Sequence, residues 1–340
     1  MTATDDFTAL AGQFRGELLA HCYRMLGSVY DAEDQVQETL VRAWRSYSDF
    51  QGRSSLRTWL YRIATNACLR ALENRSRRPL PAGLGAPSAD PDAPLAGAQP
   101  EVAWLEPFPD ARAPAADPAD PASIAAARAD TRLALIAALQ LLPPRQRAVL
   151  LLRDVLGWRA AEVAGLLDAS PAAVNSLLQR AREQLRQAGL VPEQVTEPPG
   201  AADRDLVSRY AAAFAASDVA GLTRLLADDA VFEMPPQPGW FRGREAIGAF
   251  LAGRVLTRPG RFLLVPAGVN GQPGFGLYLR GPGGAYRAHG IQALTLASGQ
   301  VARITAFRDP ALFPFFGLPA RPPGRDSRPR ALASPEAGEE

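Results

Sequence analysis

The sequence predicts a multidomain protein in which two all-α modules are followed by an α+β module. Apolar residues recur at helical spacing through the first half of the chain. Strand-like alternation with Gly/Pro turns is found only in the last third, after two further helices. Two proline-rich breaks separate the modules. The predicted boundaries are 7–78, 130–189 and 203–318 for the modules, 79–129 and 190–202 for the linkers, and 319–340 for a disordered tail.

Composition excludes several classes of protein. The 340 residues are 47% hydrophobic, yet no apolar run approaches the ~18 residues of a transmembrane helix. The start of the chain carries Asp5 and Asp6 and lacks a secretory pattern. Two cysteines, Cys22 and Cys68, are too few for a disulfide framework or a Cys-rich zinc site, and they fit the reducing cytoplasm. We therefore expect a cytoplasmic protein with no membrane contact, metal or cofactor.

Charge is unevenly distributed although the total is only +2. Residues 50–78 carry +6, residues 79–130 carry −6 and residues 131–189 carry +4. Two basic segments separated by an acidic one indicate two contacts with a polyanion.

The first module reads as three helices. Asp31 is the predicted cap of the second helix, whose apolar stripe runs to Val41 and Trp44. A loop over Phe50–Ser55 precedes a third helix over Leu56–Leu72. Arginines interleaved with aromatic residues suit single-stranded nucleic acid, although core packing is the favoured role for Trp59. These arginines are Arg53, Arg57, Arg62, Arg70, Arg75, Arg77 and Arg78.

The second module has the pattern of a helix-turn-helix, with Ser170 capping a last helix that begins at Pro171. Its predicted buried stripe is Val174, Leu178, Ala181 and Leu185. The outward rows then hold Asn175, Ser176, Gln179, Arg180, Arg182 and Arg186. Asn and Gln pair with adenine and Arg with guanine or phosphate, so this face suits a major groove, with a merely solvated face as the alternative.

The third module predicts helices followed by a run of antiparallel strands. Six side chains are candidates to line a cavity, filled as core or open to an unidentified small ligand: Phe232, Met234, Trp240, Phe241, Arg287 and His289. Acid–base candidates are Asp228, Asp229, Glu233, Arg287, His289 and Asp309. Strand alternation puts Arg287, His289 and Ile291 on one face, inward or outward. No pair at a fixed spacing identifies an acid and a base, so we expect no enzyme.

Motifs in the first two modules resemble a known family. DAEDQVQETLVRAW (31–44) followed by FQGRSSLRTWLYRIATN (50–66) resembles region 2 of sigma-70-family transcription factors. LPPRQRAVL (142–150) and the helix-turn-helix through QRAR (179–182) resemble region 4. Without regions 1.1 and 3, the pattern is similar to the extracytoplasmic-function group. The third module, with GREAIGAFL (243–251) after Trp240, resembles the SnoaL-like, nuclear-transport-factor-two-like cone that a subset of this group carries.

The resemblance implies a sigma factor that directs promoter recognition, DNA melting and transcription initiation, with the cone modulating activity in cis. Its partners would be core RNA polymerase, through the β′ clamp and β flap, and promoter DNA, duplex at −35 and single-stranded at −10. The implied polymerase contacts are Asp31, Asp34, Gln37 and Glu38. The implied −10 contacts are Phe50, Arg53, Ser54, Ser55, Arg57, Arg62, Asn66 and Arg70. The implied −35 contacts are Ser170, Ala172, Asn175, Ser176, Gln179, Arg180 and Arg182.

Two other functions remain open at this point. A one-component, ligand-responsive regulator would use only the helix-turn-helix and would bind DNA without polymerase. A small-molecule enzyme would place its chemistry in the cone. The first linker is expected to be extended, because its proline-rich composition buries little apolar surface. An apolar island within it, Val102 to Phe108, has the side chains to dock on another surface, which the sequence does not identify.

Overall fold

The computed structural model describes Phe7 and the ranges 10–52, 54–73, 77–113, 132–187 and 200–322. Up to residue 187 its regular elements are helices, and residues 200–322 combine helices with a six-stranded sheet. The predicted fold class is therefore confirmed. Four predicted features lie wholly or largely outside the described residues: Arg53, Arg75, most of the 190–202 linker and most of the tail.

Helices α1 (Arg15–Leu26), α2 (Val29–Arg45) and α3 (Leu56–Leu72) form the first module. The predicted third helix is confirmed at both ends. The predicted cap of α2 is wrong, because the hydroxyl of Ser28, not Asp31, accepts the capping hydrogen bond, from the Asp31 amide at 3.1 Å. The earlier start brings the fully buried Val29 into the helix.

The second module consists of α4 (Leu133–Leu139), α5 (Pro144–Leu150), α6 (Ala160–Leu167) and α7 (Pro171–Gln187), with one turn of π-helix, Leu151–Val155, extending α5. The hydroxyl of Ser170 accepts a hydrogen bond from the Ala173 amide at 3.1 Å, which caps α7 as predicted. The predicted stripe of α7 is buried, so its opposite face is left to solvent.

The third module begins with α8 (Ala201–Ala216) and α9 (Val219–Leu225). Strands β1 (Leu226–Glu233) and β2 (Trp240–Arg242) precede α10 (Arg244–Phe250), which a π turn, Leu251–Val255, extends. Strands β3 to β6 follow at Phe262–Val269, Gln272–Arg280, Tyr286–Ala297 and Gln300–Phe307, and a 3-10 segment, Pro310–Phe316, comes after them.

The strand order is β2-β1-β6-β5-β4-β3. All neighbours are antiparallel except β1 and β6, which are parallel, so the predicted run of antiparallel strands is confirmed for β3 to β6, and the earlier strand β1 makes the sheet mixed. A tight hairpin forces two strands to run antiparallel, but most of the module separates β1 from β6, and a long connection permits either direction.

Each face of the sheet belongs to a different core. One face carries Phe232, Phe275 and Leu294, which pack with the helices of the third module. The other carries Ile291 and Phe307, which belong to one continuous cluster with the two helical modules. The sheet therefore holds its own module together and also joins it to the rest of the chain.

The first linker is not extended over its described part. Residues 79–113 contain only short 3-10 turns, yet Trp104, Leu105 and Phe108 are buried. The Glu106 amide donates to the carbonyl of Gly27 at 3.0 Å. Gly27 has a φ of 69°, and a Cβ there would lie 2.9 Å from the Leu105 side chain. The prediction failed because a few large side chains suffice to dock a segment whose average composition is that of a linker.

The linker is held by a tight turn between β3 and β4. Asn270 and Gly271 occupy this two-residue turn with φ values of 54° and 68°. The Asn270 side chain accepts a hydrogen bond from the Phe108 amide and donates one to the hydroxyl of Tyr23, both at 2.8 Å. The Tyr23 hydroxyl in turn donates to the carbonyl of Glu106 at 2.8 Å. One buried amide thus joins α1, the linker and the sheet.

Replacing Asn270 by Gly keeps the backbone conformation and removes the amide. We expect a loss of about 2–4 kcal/mol, because two buried hydrogen bonds each lose a partner. Hydrogen exchange at the Phe108 amide should accelerate by about 100-fold in the full chain. Ser298→Gly is the matched control, since Ser298 has a φ of 51° in an exposed turn before Gly299. Equal exchange rates in the two variants would contradict the role of the amide.

Candidate functional sites

The predicted polymerase-binding residues lie on α2 in two settings. Asp34 and Gln37 are exposed. Asp31 is half-buried and forms an ion pair with Arg78 at 2.6 Å, which ties it to the start of the linker. Glu38 is half-exposed and pairs along its own helix. Two of the four side chains are therefore open to a partner in this arrangement.

Two apolar residues extend the same helical row. Val41 and Trp44 follow Asp34 and Gln37 at spacings of three or four, and their exposed fractions are 41% and 50%. Their predicted place in the buried stripe is wrong, because α1 and α3 cover only the opposite side of α2. The row of four residues, here called the α2 surface, combines polar groups with an exposed aromatic ring, as binding surfaces do. Sequence reasoning missed it, although the helical spacing from Gln37 was a usable signal.

The loop before α3 is built on stacked rings. Phe50 lies 4.9 Å from the ring of Trp59 and 6.3 Å from that of Tyr47, measured between centroids. Ser55 caps α3 by accepting from the Thr58 amide at 3.1 Å. Ser54 is half-buried. The rings fix the loop onto α3, so Phe50 and Ser55 have structural contacts besides any role toward DNA.

The arginines of α3 divide into paired and open groups. Arg57 donates to Glu17 at 2.6 Å and lies over the ring of Tyr61. Arg62 and Arg70 are exposed and form no ion pair with any described carboxylate. The open pair provides positive charge on the surface of α3.

Asn66 and Arg70 also line a groove between the two helical modules. Its volume is about 710 Å³, and its other wall includes Pro143, Arg145 and Leu177 of the second module. Asn66 is half-buried there. The part of α3 implied in −10 binding therefore faces the helix-turn-helix module.

A buried arginine holds that module in place. Arg147 of α5 donates to the main-chain carbonyl of Met25 at the end of α1 and to the Gln140 side-chain oxygen, the latter at 2.8 Å. It also donates to the carbonyl of Leu142 at 3.1 Å. Burial lowers the pKa of Arg147 to about 10, which leaves it charged at neutral pH. The two helical modules are thus connected by the buried, charged side chain of Arg147, which donates to carbonyl groups of both.

Helix α7 presents most of its predicted −35 residues to solvent. Those exposed are Ala172, Asn175, Ser176, Gln179, Arg180 and Arg182. Arg182 makes a two-pronged contact with Asp154, at 2.7 and 3.0 Å. The Ser170 hydroxyl caps the helix, as described above. The face suits a major groove, with Arg182 tied to its own module until another anion replaces Asp154.

The third module contains a cavity of about 260 Å³ between the sheet and its helices. Phe232, Met234 and His289 line it, whereas the other predicted lining residues do not. Trp240 donates to the linker carbonyl of Gly85 at 3.0 Å, and Phe241 stacks on Phe250 within the core.

A β-bulge sets the direction of His289. The pairing of β4 with β5 shifts between Leu277↔Gly290 and Tyr278↔Ala288, so His289 is the extra residue and its side chain lines the cavity. Ile291 faces the opposite core, and Arg287 is exposed. The predicted alternation failed because the bulge inserts one residue into it.

The acidic candidates lie outside the cavity lining. Glu233 is buried, pairs with Arg303 at 2.8 Å and accepts from the linker amide of Ala82 at 3.2 Å. Asp309 accepts from the hydroxyl of Tyr30 at 3.0 Å, a contact between the third and first modules. Asp228 and Asp229 are exposed. Glu233 and Asp309 therefore connect modules, and none of the four carboxylates forms an acid–base pair with His289 in the cavity.

His21 and the cysteines occupy the core of the first module. The Nε2 atom of His21 lies 2.9 Å from the hydroxyl of Thr65. Cys22 and Cys68 are free thiols that contact each other, and burial raises the pKa of Cys68. Within the described ranges, no group of three or more His, Cys, Asp and Glu residues could hold a metal ion.

Three family models match the chain in order. Sigma-70 region 2 matches residues 10–78, Sigma-70 region 4 matches residues 132–185, and the SnoaL-like domain matches residues 207–304. The chain is 51% identical to the ECF RNA polymerase sigma factor SigG of Mycobacterium tuberculosis, over 92% of its own length and 84% of that protein. The chain belongs to the ECF RNA polymerase sigma factors.

This sigma factor is also similar to SigJ of the same organism, with 31% identity over 92% of the chain and 95% of the relative. The crystal structure of SigJ matches with a TM-score of 0.59 and 27% identity, covering 91% of this chain and 98% of that one. Because both likenesses extend through the SnoaL-like domain, the one-component regulator and the enzyme are not supported, and this sigma factor is not an enzyme.

No helix in the described ranges is long and apolar enough to cross a membrane.

The stability of this sigma factor is expected to depend on pH because of its two histidines, His21 and His289. Burial lowers the pKa of His21 to about 3 and, with the charges of Arg308 and Arg261, that of His289 to about 4. The unfolded chain, with histidine pKa values of about 6.5, takes up protons that the folded chain excludes. Stability should fall with decreasing pH below that value, by up to about 1.4 kcal/mol per pH unit for each histidine.

NMR titration of the folded chain should find both imidazoles neutral at about pH 5. Denaturation of His289→Gln should show a shallower loss of stability between about pH 6.5 and pH 5 than the parent chain. A folded-state midpoint above about 6 for either ring would contradict the expectation.

Proposed function

We propose that this sigma factor binds core RNA polymerase through α2, opens the −10 promoter element with loop 50–55 and α3, and reads the −35 element with α7. It acts in the cytoplasm, where it initiates transcription, and region 4 also contacts the β flap. The linker and the SnoaL-like domain control these contacts in cis. The groove between α3 and the helix-turn-helix is the observation that supports control in cis.

The α2 surface supports the polymerase contact. Asp34 and Gln37 offer polar groups to the basic clamp helices of β′, and Val41 and Trp44 add apolar area beside them. An exposed aromatic ring next to polar groups is the composition of an interface centre. Asp31 would join this contact only after its bond to Arg78 opens.

The −10 and −35 surfaces differ in their accessibility. On α7, Asn175, Gln179 and Arg180 are exposed and suited to base edges and phosphates. On α3, Arg62 is open but Asn66 lies in the groove against the second module. Melted −10 DNA therefore needs the two helical modules to separate, whereas α7 can meet duplex DNA without this change.

The linker and sheet oppose that separation. They belong to the same continuous core as both helical modules, and the Asn270 turn fixes the linker to α1. We infer that the compact arrangement is a resting state with low promoter-opening activity. Loosening the linker should raise that activity.

The basic test is reconstituted transcription with sigma-free core polymerase on a genomic promoter library. The full chain should produce transcripts that start at discrete sites. Tight duplex binding by the chain alone, with no transcripts, would contradict the proposed function.

Trp44→Ala tests the α2 surface. The affinity for core polymerase should fall by at least about tenfold, because an exposed aromatic ring at an interface centre contributes strongly to binding. Leu84→Ala is the matched control, since Leu84 has a similar exposed fraction of 46% in the linker. Biolayer interferometry with immobilised polymerase measures both. Similar affinities for the two variants would remove Trp44 from the interface.

Asn270→Gly tests control in cis without deleting a domain that shares its core with the rest of the chain. Run-off transcription should increase relative to the parent chain, because the linker no longer holds the compact arrangement. Ser298→Gly should leave transcription unchanged. If hydrogen exchange shows that the linker is released in Asn270→Gly while transcript yield stays the same, cis control by this contact is wrong.

A further inference from the structure

The cavity of the SnoaL-like domain has an apolar interior. Phe214, Phe232, Phe250 and Leu277 are among its lining residues. Its volume of about 260 Å³ lies just below the range of about 300–1,000 Å³ usual for small-molecule sites. A compact hydrocarbon body would fill it without displacing the core.

Three arginines also border this space: Arg254, Arg261 and Arg308. Arg254 and Arg308 are exposed and Arg261 is half-buried, which places their charge toward solvent and the apolar rings inside. No aspartate or glutamate from the described ranges lines the cavity. The cavity therefore combines an apolar interior with cations at its border.

Among the described residues, the partners of these arginines are neutral groups. None of them forms an ion pair with a carboxylate in the described part of the chain. Arg254 donates to the main-chain carbonyl of Asp92, and Arg261 donates to the hydroxyl of Thr257 at 2.8 Å. The Arg308 guanidinium lies 3.3 Å from the Gln237 amide. Their partners are neutral, so the positive charge stays available to an anion.

His289 lines the same cavity as these arginines. The bulge aims it into the cavity, and it makes no hydrogen bond to any described residue. Burial and the charges of Arg308 and Arg261 lower the pKa of its imidazole to about 4. At neutral pH the ring is uncharged and offers one N–H donor and one nitrogen acceptor. A carboxylate near it would meet an N–H donor and the charges of Arg308 and Arg261.

We propose that this cavity binds a small organic carboxylate, with its apolar body between the phenylalanine rings and its carboxylate at the arginine border. Guanidinium groups suit this anion because they donate charge-assisted, two-pronged hydrogen bonds to it. The proposal concerns binding alone. Its test involves no polymerase, so its outcome is independent of the proposed control of transcription.

Isothermal titration calorimetry on the full chain tests the charge requirement. The probes are benzoate, 3-phenylpropionate and hexanoate, each compared with the amide of the same carbon skeleton. At least one acid should bind about tenfold or more tightly than its amide. Equal affinities within every pair, or no binding by any acid up to about 10 mM, would overturn the proposal.

Variants locate the site. Arg261→Gln and Arg308→Gln should each weaken binding of the acid by about tenfold and leave binding of the amide unchanged. Arg258→Gln is the matched control, because Arg258 is exposed nearby and does not line the cavity. Two arginine variants are used so that one poorly folded protein does not decide the result. Equal losses in the Arg258 variant, or none in either of the other two, would place the anion elsewhere and overturn the proposal.

Discussion

The buried side chain of Asn270 constrains the whole arrangement, because it satisfies polar groups from two other parts of the chain at once. Its acceptor takes the Phe108 amide and its donor reaches the Tyr23 hydroxyl. Burying the Phe108 amide or the Tyr23 hydroxyl without a hydrogen-bond partner would lower the stability of the folded chain. The register of the linker on α1 therefore follows from the position of one turn in a sheet more than 160 residues later. Apolar contacts add area around this point, but they do not select a register as sharply.

The contacts between modules combine one continuous apolar core with a few polar contacts at its edges. Arg147 meets carbonyl groups, Asp309 meets the hydroxyl of Tyr30, and Glu233 meets a linker amide. When such contacts open, water replaces the lost partner, so separation costs less than exposing an equal apolar area. The proposed separation of the helical modules on DNA would exchange these polar contacts for contacts with water. The helices and the sheet can remain intact while the contacts between them are exchanged.

The sequence predicted those features that depend on local spacing. The Val174 stripe of α7 and the bounds of α3 follow from helical periodicity, and the structure agrees with both. Trp44 has equally regular spacing, but only the positions of α1 and α3 determine which side of α2 is covered. His289 changes face through a bulge that exists only when β5 lies beside β4. The docked linker was missed because composition averages over a segment, whereas docking depends on a few side chains such as Phe108.

Residues 102–113 leave the ribosome long before the β3–β4 turn that receives them. At synthesis rates of about 5–20 residues per second, the remainder of the chain through β6 takes roughly 10–40 s to produce. During that interval the Tyr23 side of α1 and the ring of Phe108 lack their covering from the sheet. A nascent chain therefore offers region 2 in an open form before the finished protein closes over it. Until β3 and β4 have been synthesised, the chain lacks the contact that is proposed to hold it in the resting state.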